Sequence, residues 1–206
     1  MKNRGLLLVV SGPSGAGKGT ICAEILKKHD DMFLSVSATT RQPREGEIHG
    51  VNYYFLSEKE FLEKIENNGF IEWACFCENY YGTPKDAVEQ MLDDGKDVIL
   101  EIDVQGALKV RSVYPEAVFL FVIPPTLAEL KNRLSGRGTE SEDVIAKRLE
   151  TALWEIGNIS KYNYIVLNDE LDLAVQRFEA IVTAEKARVA RNPETIKHFV
   201  ENESKK

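Results

Sequence analysis

The chain has 206 residues, 43% of them hydrophobic and 29% charged, with a net charge of −7. That length suits one α/β unit with a real core, and the negative balance argues against a broad, sequence-blind nucleic-acid surface, which needs a basic face. The first apolar run, Leu6 to Val10, is far too short for a signal peptide or a membrane span, so a cytoplasmic protein with no membrane partner is expected.

In chain order, LLLVVSG reads as a buried parallel strand ended by glycine, and Lys18 to about His29 as a helix with apolar Ile21, Ile25 and Leu26. FLSVSATT and NYYFL read as two further short strands. SEKEFLEKIENNG opens with Ser57 and has Glu60 three residues on, a capping box, with Gly69 as its stop. In TPKDAVEQMLDDG, Thr83 is the expected cap, Pro84 the first helical residue and Gly95 the end. Cys75 and Cys77 of CFC read as strand residues on one face, and with Cys22 they offer no zinc-like spacing.

DVILEID and AVFLFVIPP are apolar runs of the kind that fill central strands. Thr126 with Glu129 forms a second capping box, and Ser141 caps a longer helix to about Ile156. YNYIVLND is the last strand, and LDLAVQRFEAIVTAEKARVAR is a closing helix ended by Asn192-Pro193. Alternating strands and helices predict a parallel sheet covered on both faces. Two polar stretches, about 35–81 and about 126–159, fit that core poorly and read as insertions able to close over a ligand at the strands' carboxyl ends.

Gly12-Pro13-Ser14-Gly15-Ala16-Gly17-Lys18 matches the phosphate-loop pattern G-x-x-x-x-G-K, between a strand and a helix as that motif requires. Its backbone N–H groups and the helix amino end favour phosphate oxygens, and Lys18 reaches the β and γ phosphates. Gly19 stands where a Ser or Thr usually holds Mg²⁺, and Thr20 comes one place late. Mg²⁺ keeps several waters and leans on substrate phosphates, so no direct protein ligand is assigned. Thr20 and Asp103 are candidates through water.

A kinase acting on a second phosphorylated molecule also needs positive charge for the acceptor and the moving group. Arg41 and Arg44 lie three apart in TTRQPR, Arg133 and Arg137 four apart in RLSGRG, and Arg148 follows. Arginine suits bidentate phosphate contacts, although solvated surface arginine is the plain alternative for each. Glu101 and Asp103 are spaced to share one strand face. The three histidines are dispersed and form no catalytic or metal set.

The segments SGPSGAGKGT, SVSATTRQPREGEIHGVNYYF, FIEWACFCENYYGTP, ILEIDVQGA, FVIPP and RLSGRGTESEDVIAKRL occur in this order from about Leu6 to Asn168. In that combination the chain resembles the guanylate kinase family of nucleoside monophosphate kinases. The resemblance implies a five-stranded parallel core (about 1–34, 82–125 and 160–206), a GMP-binding insertion (about 35–81) and a lid (about 126–159). It implies transfer from ATP, with Mg²⁺, to GMP or dGMP. It further implies that Arg41, Arg44, Tyr53 and Tyr81 hold the acceptor phosphate and that Ser37, Glu72, Thr83 and Asp103 face guanine. Lys18, Arg137 and Arg148, with Arg41, would serve the transferring group, Arg133 would lie nearby, and Asn168 would sit near adenine. Gly12 to Thr20 would bind the ATP phosphates.

Chemistry agrees with the base assignment. Guanine presents an adjacent ring N–H and amino group, and a carboxylate accepts without donating. Adenine has an acceptor at the same ring position. The other readings of these residues are an exposed strand carboxylate for Glu72, a strand-end cap for Asp103, and core packing for Tyr53 and Tyr81. Two other functions compete: a non-catalytic phosphopeptide-binding module of the same fold, and a simple NTPase or GTPase switch. Oligomeric state is left open.

Overall fold

The run Leu7–Ser11 forms strand β1 and is buried at every position, as a Leu-Val run without polar alternation must be when both faces of its sheet are covered. The computed structural model describes residues 4–76, 78–135 and 142–203. After β1 come α1 (Lys18–Lys28), β2 (Met32–Leu34), β3 (Ala38–Thr39), β4 (Tyr54–Phe55), α2 (Glu58–Glu66), β5 (Phe70–Phe76) and β6 (Asn79–Pro84). The chain then runs through α3 (Lys85–Asp93), β7 (Asp97–Glu101), α4 (Val104–Val113), β8 (Val118–Ile123), α5 (Leu127–Ser135) and α6 (Glu142–Gly157). It ends with β9 (Tyr164–Leu167), α7 (Leu171–Lys186) and α8 (Pro193–Glu203).

The expected five-stranded sheet is present, in the order β2-β7-β1-β8-β9, with every pairing parallel. Leu8, Val10, Ile21, Ile25, Leu120 and Phe178 fill one face beneath α1 and α7. Leu7, Val9, Val88, Leu92, Leu100 and Val110 fill the other beneath α3 and α4. Both faces are dry, so the open carboxyl ends of the strands are where polar side chains collect. A second sheet, β4-β3-β6-β5, comes from residues 38–84 and has its own small core of Ala38, Phe61 and Phe70 with Tyr54 and Tyr80 against it.

Four local expectations change. FLSVSATT is two strands in two sheets: Leu34 closes β2 against β7, and Ala38 opens β3 against β6. A sequence reading cannot separate them, because both halves have strand propensity. The helix capped by Ser57 and Glu60 is as expected, but the left-handed residue after it is Asn68, with φ 52°, rather than Gly69. Asn tolerates that conformation through its short polar side chain. Thr83 does not cap α3, whose N-terminal boundary is Pro84 without a side-chain cap; its hydroxyl is bonded elsewhere. Pro193 opens α8 instead of ending a helix, and its missing N–H costs nothing at a first helical position. Ser141 and Cys77 lie outside the described residues.

No helix among the described residues is long and apolar enough to cross a membrane.

Candidate active site

The loop after β1 is shaped by what presses on it. A side chain at Gly12, with φ 145°, would put its Cβ 2.1 Å from the Val122 carbonyl. One at Gly17, with φ 90°, would meet the Asn168 amide nitrogen at 2.2 Å. Both positions therefore require glycine. Asn168, 8% exposed at the end of β9, donates from that nitrogen to the Ala16 carbonyl at 2.7 Å. Its amide holds the loop. Leu134 and Leu130 of α5 pack over Gly15.

Lys18 folds back on its own loop, donating to the Gly12 carbonyl at 2.6 Å and the Pro13 carbonyl at 3.2 Å. Burial lowers its pKa, and the carboxylates of Glu101 and Glu155 work against that shift. Gly19 exposes bare backbone to Glu101, whose Oε1 would lie 3.5 Å from a Cβ placed there. Glu101 itself is raised, first by desolvation and against the pull of Lys18. Cys22, on the buried side of α1, has its thiol pushed up to about 12 by burial and is chemically quiet.

A cavity of about 660 Å³ opens in front of this loop, lined by Ser14, Gly15, Gly17 to Thr20, Glu101, Arg133, Arg148 and Asn168. Arg148, from α6, donates to the Ser14 hydroxyl at 2.6 Å. Arg133, from α5, is held by Glu129 at 2.9 Å and by the Asn168 carbonyl at 3.2 Å. Thr126 caps α5 by accepting the Glu129 N–H at 3.0 Å, while the Glu129 carboxylate turns to Arg133 instead of completing the expected box. Arg137 lies outside the described residues.

On the second sheet, Arg41, Tyr53 and Tyr81 come together. The Arg41 guanidinium sits 5.5 Å from the Tyr53 ring centroid, and the two tyrosine rings meet edge-on at 6.2 Å. Tyr54 and Tyr80 point the other way into the small core, as alternation along a strand requires. Arg41 is not waiting free. Glu47 accepts from it at 2.8 and 3.0 Å, and also takes the Arg44 backbone N–H at 2.7 Å. The hydrogen bond to Glu47 raises the pKa of Arg41, and the same bond lowers that of Glu47. The Arg44 side chain is exposed on the same turn. The sequence reading missed Glu47; its only signal was an acidic residue three places after Arg44.

Glu72, on β5, accepts the Thr83 hydroxyl at 2.7 Å. Asp103 caps α4 by accepting the Gly106 N–H at 2.7 Å, so the strand-end cap is part of its role. A Cβ on Gly106 would lie 3.2 Å from Glu72 Oε2 and 3.5 Å from Asp103 Oδ1. The two carboxylates thus converge beside a residue with no side chain. Desolvation raises Glu72, the Thr83 bond opposes it, and Asp103 adds to the rise. Ser37 stands just before β3, where its carbonyl accepts the Tyr54 N–H at 2.8 Å. The arrangement offers a phosphate loop with three basic side chains, Lys18, Arg133 and Arg148, an arginine-tyrosine corner, and an acceptor-only carboxylate pair, joined through the ends of β1 and β7.

A family model described as guanylate kinase matches residues 4–185. A guanylate kinase of Caldanaerobacter subterraneus is 56% identical over 192 residues, covering 93% of this chain and 93% of that protein. One from Halalkalibacterium halodurans is 54% identical, covering 98% of this chain and 99% of that one. Among solved structures, the guanylate kinase of Anaplasma phagocytophilum matches with a TM-score of 0.73 at 33% identity, over 93% of this chain and 91% of that one.

Proposed function

The chain belongs to the guanylate kinase family and is an ATP:GMP phosphotransferase; we propose that its residues divide the work as follows. The loop from Gly12 to Thr20 receives the ATP phosphates. Lys18, Arg148 and Arg137 stabilise the transferring phosphoryl group, with Arg133 holding the lid side of the cavity. Arg41, Arg44, Tyr53 and Tyr81 bind the phosphate of GMP or dGMP. Glu72, Thr83, Asp103 and Ser37 select guanine. Residues 35–81 act as the GMP-binding insertion and 126–159 as the lid, and the enzyme works in the cytoplasm in guanine nucleotide supply.

The observation that carries this reading is the convergence of Glu72 and Asp103 at Gly106, one strand away from the phosphate loop. Two acceptors suit the paired N–H donors of guanine. Adenine at the same place would leave a buried acceptor unpaired, at about 1–3 kcal/mol for each mismatch. The acceptor phosphate is already anionic, so no side chain needs to act as general base. The chain's task is to align the two phosphates, screen their charge and exclude water.

The donor set fits Mg²⁺ carried in by ATP. Glu101 faces the bare Gly19 backbone, Thr20 is exposed at the cavity, and no three-carboxylate or histidine cluster forms among the described residues. Glu101, Thr20 and Asp103 would hold the ion through its waters, where it would screen the β and γ phosphates.

Coupled-assay turnover with GMP, dGMP, AMP, CMP, UMP and dTMP tests the reading. GMP and dGMP should be used far better than the others; equal turnover of AMP would sink the guanine assignment. The non-catalytic alternative leaves the intact donor loop and Lys18 without a purpose.

A further inference from the structure

Gly106 is buried in the first turn of α4. Its backbone is helical, with no positive φ to demand glycine, and alanine would be the better helix former. The reason for glycine is therefore space. A Cβ there would lie 3.2 Å from Glu72 Oε2, inside the ~3.5–4.0 Å of a relaxed non-bonded contact. Asp103 Oδ1 would be 3.5 Å away.

The surroundings leave the helix no room to back off. Asp103 Oδ1 accepts the Gly106 N–H at 2.7 Å and pins it from the amino end. α4 also packs along β5 on both sides of Glu72. Ile71 is buried in the core that Ala107 and Val110 share. The Trp73 carbonyl accepts from the Lys109 ammonium, which lies 5.5 Å from the Trp73 ring centroid. Between these fixed points, the part able to give is the end of the Glu72 side chain. Its Oε1 takes the Thr83 hydroxyl at 2.7 Å, and its Oε2 is turned to Gly106. A methyl group at 106 would thus act on the carboxylate before the helix, pressing Oε2 outward and turning Oε1 off Thr83.

We propose that Gly106 is a positioning residue for base selection. Its bare Cα lets the Glu72 carboxylate seat against the first turn of α4 while keeping its bond to Thr83, and so sets where Glu72 and Asp103 present their acceptors. This rests on the reading that those two carboxylates select guanine. Gly106 itself offers the base no side chain.

Gly106→Ala adds only the methyl group. The ratio of GMP to AMP turnover, as kcat/KM, should fall roughly tenfold, with KM for ATP within about twofold of the parent. The melting temperature should hold or rise, because alanine favours the helix. A purely structural role would lower the melting temperature and spare the ratio. An unchanged ratio, whatever the stability, overturns the proposal. In a Glu72→Ala background the same substitution should cost little, since its effect runs through Glu72; a full loss of the remaining ratio there overturns it too. A crystal structure of the Gly106→Ala variant is a separate arm. The Glu72 carboxylate should stand displaced from its parent position with its Thr83 bond lengthened or lost, and an unmoved carboxylate overturns the proposal. A parent chain that used AMP as well as GMP would refute the guanine reading instead, and the crystal structure would still judge Gly106.

Discussion

The phosphate loop and the small sheet at 38–84, proposed to receive the two phosphates, hold their charged groups differently. On the loop, Lys18 rests on two backbone carbonyls and Arg148 on a neutral hydroxyl. On the sheet, Arg41 is gripped by the Glu47 carboxylate and Glu72 by the Thr83 hydroxyl. The loop's geometry is backbone, set by glycines that nothing else can replace. The sheet's geometry is side chain against side chain, so it is more open to tuning by single substitutions. Changes to the loop should therefore act on chemistry as a whole, and changes to the sheet on selectivity.

Lys18→Ala puts the most strain on that contrast. It should lower kcat by about 10³-fold or more and leave the melting temperature little changed, as measured by coupled assay and thermal unfolding. A modest loss confined to KM for ATP would mean the lysine only binds. Glu72→Gln comes next. The ratio of GMP to AMP turnover should fall by roughly 10- to 100-fold, with ATP kinetics preserved. An unchanged ratio would remove Glu72 from base selection and blur the difference between the two regions.

The same variant sharpens the comparison through pH. The Glu72 carboxyl is raised above its ordinary 4.5 by desolvation. The folded chain therefore holds a proton that the unfolded chain has released, and ligand-free stability falls as pH rises from that ordinary value through the raised one. Glu72→Gln lacks this loss. Its melting temperature should match the parent's below the window and exceed it above. Parallel melting curves at acid and neutral pH check the sign.

Gly19→Ser should have the smallest effect. The new Cβ meets Glu101 at ordinary contact distance, 3.5 Å, and leaving glycine in a helix favours stability by a few tenths of a kcal/mol, about 0.5. Activity within about twofold of the parent would show that the metal shell does not depend on a hydroxyl directly after the lysine.

The parts of this site that could be read from the sequence are local. The loop, the capping box at Ser57 and the apolar runs of β1, β7 and β8 each state their structure within a few residues. The tyrosine alternation at Tyr53–Tyr54 and Tyr80–Tyr81 was legible for the same reason. What escaped depends on distant partners. Asn168 grips Ala16 from 152 residues away, and Arg148 reaches Ser14 across 134. Thr83 looks like a helix cap until Glu72 is beside it. Glu47 carries no motif, and only the folded chain shows it gripping Arg41.

The Asn168 amide has a consequence for how the protein is made. The phosphate loop leaves the ribosome 152 residues ahead of its clamp, which belongs to the end of β9. A nascent chain that has translated the whole motif is still without the amide that holds Ala16 and packs on Gly17. Nucleotide binding during synthesis should thus switch on late, after residue 168 has emerged and β9 has docked on β8. A series of stalled chains of increasing length, assayed for ATP binding, would show a step there; firm binding by chains ending before it would remove the clamp from loop assembly.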